Sequence, residues 1–177
     1  MTAVAAKTGA SFARGSSKQD YSTPVVFLAA VRERFGINRF AFDLAATVEN
    51  ARCEHFFGDP DRSHVSIRCD ALDALAQDWR QLRGDLWLNP PFDRIAPWAA
   101  KCAISTIWSF IPPRRIFFLV PAAVGANWWR DSVHEKALVL FLNGRLSFDG
   151  KNAYPKDCAL CCYGFEPGYE CWNWRKS

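Results

Sequence analysis

Two adjacent prolines directly behind an apolar run constrain this chain most. They lie in Gly84–Phe92, which reads Gly-Asp-Leu-Trp-Leu-Asn-Pro-Pro-Phe. Leu86-Trp87-Leu88 is a strand by its bounds, with Gly84-Asp85 before it and Pro90-Pro91 after. Neither proline has an N–H, so neither continues a central strand. Pro90 also excludes the helical region for Asn89, which is therefore extended. The stretch predicts a strand with a stiff exit, and in open α/β sheets ligands bind at that carboxyl end.

The exit has a chemistry. Asn89 offers a side-chain carbonyl, and the Pro90 carbonyl lies beside it. Two fixed acceptors at one point suit a planar –NH2 group with two hydrogens to donate. Phe92 adds a flat face on which a ring can stack. Asn89-Pro90-Pro91-Phe92 resembles motif IV of the amino-methyltransferases, which methylate amino or amide nitrogens with S-adenosylmethionine (AdoMet). A proline-stiffened strand exit without chemistry accounts for the same four residues, so the surroundings decide.

A chain of 177 residues, half of them hydrophobic, fits one globular domain. We expect it over residues 20–177, behind a mobile tail of residues 1–19 that is rich in Ala, Ser, Gly and Thr and lacks a secretory apolar core. No apolar run is long enough to cross a membrane. Seven cysteines without a secretory signal suggest reduced thiols in a cytoplasm. Cys158-Ala-Leu-Cys161 has half a zinc spacing, yet no second ligand pair follows. The segment Cys158–Phe165 also reads as a buried strand, with cysteine as a small hydrophobe. His55 and His64 stand alone, and no metal is expected. The net charge of +4 is a mild bias toward polyanions.

Ser22 or Thr23 can cap a helix over Val25–Phe35, with Pro24 in its first turn and Gly36 as its stop. Arg39–Asp43 reads as a strand ending in a carboxylate. Asp43 either lies at a nucleotide-cofactor turn or caps a helix through Thr47–Arg52. A short apolar segment, Cys53–Phe57, precedes a loop over Gly58–Ser63. Val65–Cys69 alternates as a strand and leads into a helix over Asp70–Trp79, in which Asp70 and Asp73 are caps or cofactor contacts. A helix from Asp93 through Ile107, a buried strand at Ile116–Val120, a short helix at Trp128–His134 and a strand at Ala137–Leu142 follow. The tail Glu166–Ser177 carries Trp172 and Trp174 as a lid or latch. Strand and helix alternate, which argues α/β with a mostly parallel sheet.

Several stretches occur in a telling order: Thr23-Pro24, Phe42-Asp-Leu-Ala-Ala46, Asn50-Ala-Arg-Cys53, Asp73-Ala-Leu with Asp78-Trp79, Trp87–Phe92, Ile95 with Trp98 and Lys101, and Asn143–Phe148. The ordered set resembles the phage-type DNA N-6-adenine methyltransferase family over about Asp20 to Phe165. The resemblance implies a Rossmann-like AdoMet-dependent methyltransferase fold, with a mostly parallel seven-stranded sheet flanked by helices. It implies AdoMet as cofactor, lined by Thr23, Pro24, Asp43, Ala45 and Ala46, with Asp70 or Asp73 beside them. It implies double-stranded DNA as partner, with Asn89, Pro90, Pro91 and Phe92 holding the amino group of a flipped adenine. Lys101, Arg114, Arg115 and Arg145 are candidate phosphate contacts, or else solvated charges. Phe92 stands where tyrosine is common, which keeps the ring face and loses only a hydroxyl. The same corner serves enzymes acting on RNA guanine N2 or protein glutamine N5, and a non-catalytic nucleic-acid-binding module is the remaining alternative.

Overall fold

A computed structural model describes residues 22–47, 49–57, 68–71, 73–107 and 114–176. The expected tail, the loop 58–63, His64 and the beginning of the strand expected at 65–69 lie outside the described residues, as do Pro112 and Pro113. One sheet carries the architecture, in the order β3-β2-β1-β4-β5-β7-β6-β8. Its strands are β1 (Phe42–Asp43), β2 (His55–Phe57), β3 (Arg68–Ala71), β4 (Asp85–Leu88), β5 (Arg115–Pro121), β6 (Leu138–Leu142), β7 (Cys158–Tyr163) and β8 (Gly168–Trp172). All neighbours run parallel except at β7, which is antiparallel to β5 and β6. The sheet is therefore mixed and has eight strands among the described residues, where the family pattern implied seven. The extra strand is β8, in the tail expected to act as a lid or latch. It lies along β6 with Leu142 opposite Trp172.

Alternation along the central strands separates two cores. Leu86 and Leu88 of β4, with Ile116, Phe118 and Val120 of β5, face one side. There they meet helix α2 (Ile95–Ile107) through Ala99 and Cys102, and helix α3 (Asn127–Ser132) through Trp129. Trp87, Phe117 and Leu119 face the other side, against helix α1 (Val25–Phe35) and Trp174. Leu86, Trp87 and Leu88 are all fully buried, as a strand covered on both faces requires. Full burial of each contributes about 1.5–3 kcal/mol.

Helix α1 spans the expected residues, and Gly36 ends it in the left-handed conformation at φ 63°. Its start differs from expectation. Pro24 is the N-cap and no side chain caps there. The hydroxyls of Ser22 and Thr23 instead accept from Arg52 and Asn89. The strand expected over Arg39–Asp43 shortens to Phe42–Asp43, and the described residues between Thr47 and Arg52 form a turn at Glu49 and Asn50 rather than a helix. The helix expected over Asp70–Trp79 is replaced by two 3-10 turns, Ala74–Ala76 and Trp79–Gln81. Asp73 and Asp78 each accept the amide two residues ahead. Such local bonds compete with the α-helical ladder and stop it from propagating.

Gly164 joins β7 to β8 at φ 85°, and a Cβ there would lie 2.2 Å from the Arg114 carbonyl oxygen. Glycine is required at that position. Cys158 and Cys161 both lie on β7, but Cys158 faces the α1 core and Cys161 the α2 core. Three residues apart on a strand, they point to opposite faces and do not share one site.

Candidate active site

The strand order reverses between β1 and β4, because β1 is followed outward by β2 and β4 by β5. Ligands of open α/β sheets sit at the carboxyl ends flanking such a point. Asp43 ends β1 and Asn89 follows β4, so the two functional candidates flank it directly. Phe42 pairs with Leu86 and Asp43 with Trp87, which fixes their register.

Here Thr23, Asp43, Ala45, Asn50, Arg52, Trp87 and Asn89 line a narrow cleft. The Asn89 side-chain amide donates from Nδ2 to the Thr23 hydroxyl at 3.0 Å. That bond orients the carboxamide, so Oδ1, which is buried, is its acceptor end. Asp43 is 3% exposed. Its carboxylate accepts from the backbone N–H of Ala45 at 3.3 Å and of Arg52 at 3.1 Å. Burial pushes its carboxyl up to about 7, against the backbone bonds from Arg52 and Ala45 that hold it down. Three more polar atoms around the cleft, Thr47 Oγ1, Arg52 Nε and Trp87 Nε1, are buried without a hydrogen-bond partner among the described residues. The cleft has a volume of about 10 Å3, room for one water, so its buried carboxylate and donors are converging polar groups, of the kind a ligand bearing both charges would need, rather than a formed pocket. The amino-acid end of AdoMet, with its ammonium and carboxylate, has that character.

Phe92 lies on the other side of Asn89. Its ring is 6.0 Å from Phe148 and 5.7 Å from Tyr154, and those two are 5.3 Å apart, all edge-to-face. Phe148 and Tyr154 belong to the connection between β6 and β7. The Asp149 carboxylate organises its tip by accepting from the Lys151 and Asn152 amides. Those bonds, led by the Asn152 amide, hold the Asp149 carboxyl well below the usual carboxylate range. The Tyr154 amide donates back to the Leu146 carbonyl at 2.6 Å. Trp174 anchors the base of the loop, donating from its indole to the Gly144 carbonyl at 2.7 Å.

The structure thus brings Thr23, Pro24, Asp43, Ala45, Asn89 and Phe92 to one edge. Ala46 is buried, and its amide donates to the Phe57 carbonyl. Pro90 is buried and Pro91 exposed. Asp73 is occupied with its own turn, and the Asp70 side chain lies outside the described residues. The basic candidates scatter. Arg114 is 9% exposed, and its guanidinium donates to the carbonyls of Leu82, Ser105 and Arg80. It is a strut of the fold, which corrects its reading as a phosphate contact. Arg115 pairs with Asp85 at the amino ends of β5 and β4, on the edge opposite the cleft. Lys101 donates to the Leu75 carbonyl at 2.7 Å and lies over the Trp79 ring. Arg145 alone sits at the functional edge, 3.2 Å from Asp157. Sequence reasoning missed Arg52, Trp87 and Tyr154 as site residues. Asn50–Cys53 belongs to the ordered resemblance and signalled Arg52, while nothing local marks Tyr154.

A family model for DNA N-6-adenine-methyltransferase (Dam) matches residues 11–158. No curated protein matches the chain. A match over most of the chain, on a mixed α/β sheet whose switch point holds the Asn-Pro-Pro-Phe corner, places the protein plainly: it belongs to the DNA N-6-adenine-methyltransferase (Dam) family.

Proposed function

We propose that this chain is an AdoMet-dependent DNA methyltransferase that methylates N6 of an adenine turned out of the duplex. The observation that carries the reading is the Asn89 carboxamide, oriented by Thr23 at the switch point, between the Asp43 cleft and the Phe92 ring cluster. When bound, AdoMet supplies a methyl group on a sulfonium, open to attack by N6. The Asp43 side of the cleft would hold it, with Thr23, Pro24, Ala45 and Ala46 around it.

Adenine N6 is a poor nucleophile because its lone pair is delocalised into the ring. Asn89 Oδ1 and the Pro90 carbonyl would accept its two hydrogens and draw the lone pair out of conjugation. Pro90 and Pro91 hold these acceptors still, so little reorganisation is needed during reaction. The chain thereby contributes positioning and electrostatics rather than a strong base. The ring of Phe92 would receive the base once it leaves the stack, at a cost of a few kcal/mol. Arg145, at the same edge, would meet a phosphate. Incubation of the purified chain with AdoMet and either duplex DNA, RNA or protein tests the reading. N6-methyladenine in the DNA is expected. Guanine N2 or glutamine N5 methylation instead would replace the substrate, and no transfer with intact AdoMet binding would favour a binding module.

A further inference from the structure

A basic concavity lies outside the cleft. A parallel strand pair is ordinarily joined by a helix, but the described residues between β1 and β2 form turns and bends without a helix. The space this leaves beside α1 is a cavity of about 500 Å3. Its polar lining is Arg32, Arg39, Arg52 and His55, with Glu54 as the one carboxylate among the described lining residues. Leu28 and Phe40 are its buried apolar lining, and Val25 adds an exposed apolar side chain. None of the three arginines forms an ion pair among the described residues. Arg32 donates only a long 3.4 Å bond to the Asn38 carbonyl, and Arg52 Nε is buried without a partner. Arg39 is exposed at the mouth.

Three guanidiniums around a partly apolar cavity outnumber the two carboxyl groups near them, Glu54 in the lining and Asp43 beside Arg52, and leave a positive potential that low-dielectric walls concentrate. Planar guanidiniums match phosphate oxygens in pairs. We propose that this cavity is a phosphate-binding site, built by Arg32, Arg39 and Arg52 in place of the missing crossover helix. Arg52 lines both this cavity and the Asp43 cleft, whereas Arg39 precedes β1 and Glu54 and His55 stand at the start of β2, so the rest of the cavity lies toward the amino ends of those strands. A phosphodiester of bound DNA away from the target base is one source of that phosphate, and this assignment rests on the function proposed above. A free phosphate-bearing metabolite is the other.

Two measurements on the full chain and on Arg39→Gln separate the sources. One is duplex DNA affinity against salt concentration. The other is thermal protection by inorganic tripolyphosphate. A DNA source predicts that Arg39→Gln weakens binding to every sequence alike and lowers the salt slope by about 1, one phosphate contact's worth. A free-phosphate source predicts protection of the wild type by tripolyphosphate that Arg39→Gln loses, with an unchanged DNA slope. AdoMet binding stays at the wild-type value in either case. An unchanged slope together with equal tripolyphosphate response in both proteins overturns the site. Methylation of DNA by the wild type, read on the same preparation, reports separately on the proposed function.

Discussion

On one side of β4, strands β1, β2 and β3 run for two, three and four residues. On the other side, β5, β7 and β6 run for seven, six and five. The long half is apolar apart from Arg115 at the start of β5, and every residue of β7 is buried. The short half holds Asp43, Arg52 Nε and Thr47 Oγ1 as buried polar groups around the cleft. Burying such groups costs stability unless something binds them. The long half therefore carries the fold, and the short half gives up stability around the proposed cofactor cleft. Asn89 leaves the sheet on β4, where the two halves meet.

The largest effect is expected in the long half. Phe118 is fully buried on β5 and packs 6.5 Å from the Tyr163 ring. Phe118→Ala should lower stability by about 3–5 kcal/mol, through lost transfer energy and the cavity left behind. Denaturant unfolding measures it. A loss below about 1 kcal/mol would mean that this half is not the dense scaffold described.

The short half should respond to pH instead. Burial raises the Asp43 carboxyl from 3.8 to about 7. The folded state then holds a proton that the unfolded state has released. The stabilisation this gives is fully present below about pH 4 and is lost as pH rises through about 7. The difference is on the order of 4 kcal/mol. Asp43→Asn should remove this pH dependence, and it should also weaken AdoMet binding, since the carboxylate would face the cofactor's ammonium. Unfolding at pH 4.5 and 7.5, with calorimetry for AdoMet, checks both. An unchanged pH slope in the variant would take the buried carboxylate out of the account.

The same division decides what the sequence made legible. The Asn89–Phe92 corner was readable because proline sterics act on the adjacent residue alone. Helix α2 and β5 were readable because their apolar patterns span many residues. Asp70–Trp79 was misread because helix formers lost to the Asp73 and Asp78 side chains, a contest settled by local geometry. β8 went unseen because Tyr169, Glu170 and Cys171 are exposed, so no buried pattern announces an edge strand. Arg114 looks like any surface arginine in the sequence. Only the tertiary fold supplies the three carbonyls that claim it. The cavity at Arg32, Arg39 and Arg52 is likewise a gap between elements, which no run of residues encodes.

Asn89→Ala tests the junction of the halves. Folding and AdoMet affinity should stay near the wild-type values, because Asp43 and its backbone donors remain. Methyl transfer should fall about a hundredfold or more, by analogy with removal of one preorganised oxyanion-hole donor. Single-turnover transfer to duplex DNA reads it. Transfer near the wild-type rate in folded variant would leave Asn89–Phe92 as a strand exit and nothing more.

The smallest effect bridges the halves most directly. Phe92 leaves β4 and meets Phe148 and Tyr154 from the β6–β7 loop, so a base entering beside it must part that ring cluster. On the proposed reading the ring would exchange edge-to-face contacts for stacking on the base, and both depend on its face rather than on a polar group. Phe92→Ala should weaken target engagement by about 1–3 kcal/mol, the usual stacking contribution of one base. Phe92→Tyr keeps the face and should be tolerated. Fluorescence of 2-aminopurine at the target position follows the base as it leaves the stack, and the signal should fall in Phe92→Ala and persist in Phe92→Tyr. Tyr154→Ala adds the decisive comparison. If the loop from the long half forms the opposing wall, this variant loses part of the same signal while AdoMet binding is untouched. If Phe92 acts from β4 alone, the signal stays at the wild-type level.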